Sequence, residues 1–262
     1  MKIVVCVKHV PDLQADRRLT DEGWMDRSQG DGTLNELDEN AVEAAVALVE
    51  AEGGEVVVVT VGPADAEDAV RRGLQMGADR AVHVLDDAMA GSDVFGTASV
   101  LAAVVRHVGT DAPVDLVLTG MGSLDGLTSM LPAALAAELD LPQLTLAAQV
   151  TVADAVVTVR RDLDHASETL TAPLPALVSV TDQSNEPRYP NFKGIMAARK
   201  KPVEVLTLAD LSVPEDRVGA AGARTEVVEA SPQPTRDDRV LLTDDGDAGL
   251  RLATFLVENN LV

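Results

Sequence analysis

The chain has 262 residues, 46% hydrophobic but only 2% aromatic, enough for one large domain, or one domain with an appendage, built on a Val, Ala and Leu core. A formal charge of −22 argues against general electrostatic binding to DNA, RNA or an anionic membrane. The single cysteine, Cys6, excludes a disulfide framework or a thiolate metal cluster, and an inert core thiol is its default reading.

Met1 leads directly into residues 2–10, KIVVCVKHV, a nearly continuous β-branched run of the kind found in central parallel strands. No apolar run is long enough to cross a bilayer, so the expectation is a cytoplasmic protein without membrane insertion. Residues 14–33 are polar and glycine-bearing, with a small hairpin expected around Glu22–Gly23 and Trp24 as its packing anchor. Residues 35–52 form the first clear helix, with Val42, Ala45, Val46 and Val49 on one face and Asn35 or Asp38 as cap. A buried strand at 55–61, a helix at 65–76, a strand at 80–85 and a helix at 93–108 follow. Four strand–helix alternations by residue 140 specify a parallel sheet covered on both faces.

Residues 114–131, VDLVLTGMGSLDGLTSML, are the stretch around which the rest is organised. A buried strand opens at Gly120 into a loop of small residues, and a helix is expected to begin near Thr128. In an open parallel sheet, ligands sit at such a carboxyl edge. Gly120, Gly122 and Gly126 permit close backbone approach, Ser123, Thr128 and Ser129 add hydroxyls, and a helix start offers N–H groups to a phosphate. The loop by itself fits a nucleotide site and an ordinary strand-to-helix turn equally well, since no complete phosphate fingerprint is present.

After Pro142 the pattern shifts. Residues 144–152, 155–161 and 168–172 suggest an antiparallel extension, and 176–181 a return to the main sheet. Residues 185–202, NEPRYPNFKGIMAARKKP, are basic in an acidic chain and carry Tyr189, Phe192, Ile195 and Met196, which together read as a contact surface. Residues 212–246 lose periodicity and read as an extended arm, ending in an amphipathic helix at 248–259 that a partner subunit could receive. The expected fold is three-layer α/β/α, with a mainly parallel Rossmann-like sheet, an antiparallel extension and an extended C-terminal arm. Its expected organisation is a nucleotide-binding domain at 1–211 and an arm at 212–262 that docks on a partner. The four histidines lack metal-ligand spacing, and no catalytic constellation is evident.

Five blocks, in order, resemble the β subunit of electron transfer flavoproteins, especially the actinobacterial type. They are IVVCVKHVPD, LNELDENAVEAAVAL, VTVGPADAEDAVRRGLQMGADRAVHV, DLVLTGMGSLDGLTSMLPAALAAELDLPQLT, and VRRDLDHASETLTAPLPALVSV with NEPRYPNFKGIMAARKKP. The resemblance implies an electron carrier rather than an enzyme with its own substrate. It implies a heterodimer whose α subunit binds most of a redox-active FAD while this subunit binds AMP structurally. Electrons would arrive from acyl-CoA and related dehydrogenases and leave to a membrane quinone oxidoreductase.

Carried over by position, the AMP contacts are Cys6 and Val61 through backbone groups, Asn35, Leu37 and Asp38, and the loop residues Gly120, Met121, Gly122, Ser123, Asp125, Gly126, Thr128, Ser129, Met130 and Leu131. Asp125, Thr128 and Ser129 would surround ribose and phosphate. Residues 189–196 correspond to the recognition loop for dehydrogenases, anchored by Phe192, and Glu168 faces the FAD domain. Leu13 stands where some members place a tyrosine near the flavin. Leu127, Met130 and Leu131 replace polar residues of many relatives, which shifts phosphate binding onto backbone N–H groups, Thr128 and Ser129 and argues against a second FAD. The competing class is a stand-alone adenine-nucleotide sensor of the universal-stress-protein type, which shares the three-layer sheet but needs neither the basic stretch nor the arm.

Overall fold

A computed structural model describes residues 1–12, 18–20, 23–28, 32–231, 234 and 240–262. They fall into two compact units, Met1–Val228 and Glu229–Val262, so the first unit extends past the boundary expected at 211.

The first unit contains the strands β1 (Lys2–Cys6), β2 (His9–Pro11), β3 (Gly32–Leu34), β4 (Glu55–Val61), β5 (Arg80–Val84), β6 (Leu116–Gly120), β7 (Gln143–Ala147), β8 (Gln149–Ala153), β9 (Val156–Asp162), β10 (Ser167–Pro173), β11 (Ala176–Val180) and β12 (Val203–Leu206). Its helices are α1 (Glu36–Glu52), α2 (Glu67–Met76), α3 (Val94–Val108), α4 (Leu131–Leu139), α5 (Phe192–Ala198) and α6 (Gly219–Gly222). Seven strands form one sheet in the order β12-β5-β4-β1-β6-β11-β7, and every pairing in it is parallel.

The strands explain why a sheet without aromatics holds. Successive residues of a strand point to opposite faces, so Ile3 and Val5 pack with α1 and α2 while Val4 and Cys6 pack with α3 and α4. Runs such as EVVVVTV are therefore apolar at every position because both faces are covered. This is the expected three-layer architecture.

Several boundaries differ from the expectation for identifiable reasons. The 2–10 run ends as a sheet strand after Cys6, because the Lys8 N–H turns to the Asp38 carboxylate (2.8 Å). His9–Pro11 then pairs antiparallel with β3. The 144–152 run also divides. Its first half becomes β7, a parallel edge of the main sheet beside β11, and only its second half joins the antiparallel sheet β10-β9-β8. Leu146, with φ 60°, distorts the end of β7, where its pairing with β11 slips register, just before the chain crosses to β8. The alternating VEVL of β12 adds the opposite edge beside β5, an element the sequence analysis did not assign. In the polar excursion, Leu19 bridges Met25 antiparallel, as a small hairpin requires. Glu22 and Leu13 lie outside the described residues. Trp24 lies against Gly91 but is 44% exposed, so it is not a buried anchor.

The second unit carries α7 (Ala248–Glu258), on which no residue is buried. No helix among the described residues is long and apolar enough to cross a membrane.

Candidate functional site

Strand order reverses at β1. The chain proceeds from β1 outward to β4 and β5, then returns to place β6 on the other side of β1. Ligands of open α/β sheets bind at such a switch point, beyond the strands' carboxyl ends. The residues following β1 and β6 meet there, and α1 holds them together.

Gly120 ends β6 in a cramped position. A Cβ at this residue would lie 2.5 Å from Asp38 Oδ1 and 2.7 Å from the Leu37 carbonyl oxygen. Asn35, fully buried, occupies the N-cap position of α1, yet its side chain does not cap the helix. Its Nδ2 donates to the Gly122 carbonyl (3.0 Å) and its Oδ1 accepts from the Leu124 N–H (3.0 Å). The expected helix cap is therefore a clamp on the loop. Asp38 accepts the backbone N–H groups of Lys8 and Gly120. Burial dominates its ionisation and pushes it up to about 7 against those hydrogen bonds.

A second carboxylate braces the loop from beneath. Asp125 accepts Lys8 Nζ on one oxygen (2.9 Å) and Arg27 Nε and Nη2 on the other (2.9 and 2.6 Å). Burial works to raise its pKa, but the two cations and their hydrogen bonds prevail and bring it down to about 2. Lys8 and Arg27 were missed by the sequence analysis. Lys8 had a signal, a cation at the end of an apolar strand, whereas Arg27 meets Asp125 only through tertiary folding.

The outer half of the loop is open. Gly126, Thr128, Ser129 and Met130 are exposed, and Leu127 is 64% exposed. Leu127 and Ser129 hold φ values of 49° and 50°, a left-handed backbone that a continuing helix forbids. This is why α4 starts at Leu131 rather than near Thr128. The hydroxyls gather nonetheless, since a Cβ on Gly126 would be 3.8 Å from Ser123 Oγ and 3.7 Å from Thr128 Oγ1, and one on Gly122 2.5 Å from Ser129 Oγ. Thr119 Oγ1, buried one residue before Gly120, has no hydrogen-bond partner among the described residues. Met121 and Leu131 are half-buried. Cys6 and Val61 face the apolar core on the α3 side, with the Cys6 thiol pushed up to about 12 by burial and by Asp38. Neither side chain joins the cluster formed by Asn35, Asp38, Ser123 and Asp125.

The basic stretch forms a separate surface. Asn185 and Asn40 exchange hydrogen bonds between side-chain amide and backbone carbonyl (2.9 and 3.0 Å). Arg188 pairs with Glu43 and Glu50 (both 2.7 Å), and those carboxylates raise its pKa. Tyr189 is 85% exposed beneath the Arg72 guanidinium, 5.3 Å from the ring centroid. Asn191 caps α5 by accepting the Gly194 N–H (2.9 Å), which presents Phe192, 79% exposed, at the helix start with Met196 one turn on. Ile195 is half-buried. Glu168 stands elsewhere, on β10, paired with Arg161 of β9.

The electron transfer flavoprotein domain model matches residues 23–211. Over 99% of its length the chain is 44% identical to the electron transfer flavoprotein subunit beta of Mycobacterium leprae and 43% identical to that of Mycobacterium tuberculosis, covering 99% of each. It is also 32% identical, over 93% of its length and 92% of the relative's, to the caffeyl-CoA reductase–Etf complex subunit CarD of Acetobacterium woodii. The chain belongs to the electron transfer flavoprotein family, as a member of the β-subunit type.

Proposed function

We propose that this chain is the β subunit of a heterodimeric electron transfer flavoprotein that binds AMP structurally. The FAD, held mainly by the α subunit, supplies the redox chemistry when bound. Electrons enter from dehydrogenases, with acyl-CoA dehydrogenases as the leading class, and leave to a membrane quinone oxidoreductase. The observation that carries this reading is end-to-end similarity to β subunits, with the glycine-rich loop after β6 lying at the sheet's switch point.

The residues present suit a nucleotide monophosphate. The orphaned Thr119 hydroxyl and the exposed Thr128 and Ser129 await polar partners, and Gly120 and Gly122 lie at close approaches. Leu127 and Met130 make the outer loop too apolar for a diphosphate, which argues against a second FAD. In this role Asn35 and Asp38 fix the loop, and Phe192, with Tyr189, Ile195 and Met196, meets dehydrogenases. Glu168 faces the FAD domain, where an arginine of the α subunit would exchange with Arg161. The C-terminal arm with α7 docks on the α subunit, and the assembly works in the cytoplasm.

Co-expression with an α subunit tests the proposal. The expected product is a yellow heterodimer that releases FAD and AMP on denaturation, while the chain alone is colourless. A yellow, stable monomer, or a nucleotide-binding homodimer by native mass, would overturn it.

A further inference from the structure

We infer that Lys8 and Arg27 are the phosphate ligands of the nucleotide loop, held in place by Asp125, which touches no ligand itself. The inference rests on the AMP reading and deepens it.

The charge balance of the cluster motivates it. The Asp125 side chain is 1% exposed and already bonded on both oxygens, while those of Lys8 and Arg27 remain 39% and 46% exposed. Among the described residues, Lys8 and Arg27 set two cations against the one carboxylate both of them bond, Asp125, in a chain whose net charge is −22. A carboxylate aimed at a phosphate would repel it; the same carboxylate bonded to two cations fixes them in position, and at Lys8 it works against the burial that lowers the ammonium pKa. Lys8 Nζ also lies 3.4 Å from Ser123 Oγ. Ser123 and Thr128 approach the same side of Gly126, so the ammonium group borders the hydroxyl cluster that opens to solvent.

Comparing AMP with adenosine isolates the phosphate. Binding of each is measured by calorimetry on nucleotide-depleted αβ heterodimer, for the wild type, Lys8→Met and Arg27→Gln, with flavin content checked first. Each substitution should weaken AMP about ten- to a hundred-fold, the loss expected for one charge-assisted contact, and leave adenosine within about two-fold. Lys8→Arg and Arg27→Lys should restore most of the preference for AMP, and Lys8→Arg covers the case in which Lys8→Met fails to assemble. Equal weakening of both ligands would mean that the cations only brace the loop, which overturns this inference and leaves the AMP site standing. A wild-type heterodimer that binds neither ligand overturns the AMP reading itself.

Discussion

Asp38 and Asp125 are both buried aspartates beside one loop, and their surroundings drive them in opposite directions. Asp38 is bonded to neutral backbone donors, so burial prevails and the acid form is favoured up to about pH 7. Asp125 is bonded to two cations and stays ionised down to about pH 2. The consequences for stability have opposite signs. Between pH 4 and 7 the folded chain holds a proton on Asp38 that the unfolded chain releases, so stability falls as pH rises, by on the order of 4 kcal/mol across the window. Between pH 4 and 2 the unfolded chain takes up the proton first, so the stabilisation from Asp125 is lost as pH falls. Urea unfolding across pH 4 to 8 should show the first slope in the wild type and its disappearance in Asp38→Asn. A wild-type curve that is flat or rising over that range would contradict the burial argument.

At the scale of elements, α1 is the piece that orders the others. Its first turn clamps the β6–α4 loop through Asn35 and Asp38, and its middle and end hold the 185–188 stretch through Asn40, Glu43 and Glu50. Gly120→Ala would place a methyl group against Leu37 backbone, which cannot give way without moving α1. We expect a loss of about 1–3 kcal/mol and weakened AMP retention, read by denaturation midpoint and by nucleotide released. Phe192→Ala removes an exposed ring, so stability should change by less than about 0.5 kcal/mol with flavin content unchanged, while reduction of the flavin by a dehydrogenase slows. Loss of flavin instead would make the ring structural. The strands were legible because two covered faces demand continuous apolar runs. The start of α4 was not, since Leu127 and Ser129 adopt a glycine-like backbone without being glycine. The role of Asn35 was half legible: its position suits a cap, but the loop that captures its amide arrives 87 residues later in sequence. The pairing of Glu168 with Arg161 was hidden because it depends on the β9–β10 register.

For the whole molecule, the decisive property is where its apolar surface goes. Every buried hydrophobic residue among those described lies at or before Val218, so the first unit has its own core. The second unit buries nothing of α7, whose Leu250, Leu252, Phe255 and Val257 are between 37% and 72% exposed. An 11-residue helix has little stability alone in water, and exposed apolar side chains on two sides of it, Leu252 with Phe255 and Leu250 with Val257, mark it for contact with another chain. If the α subunit receives it, truncation after Val228 should leave the remaining unit folded, with a far-UV spectrum and thermal midpoint close to those of the full chain. The same truncation should weaken assembly with the α subunit by at least about ten-fold, since burying two or three such side chains contributes roughly 1.5–3 kcal/mol each. Sedimentation of the mixed subunits measures this directly. A truncated chain that assembles with undiminished affinity would show that α7 serves something other than the subunit interface. One that unfolds would show that the helix belongs to the fold of its own chain.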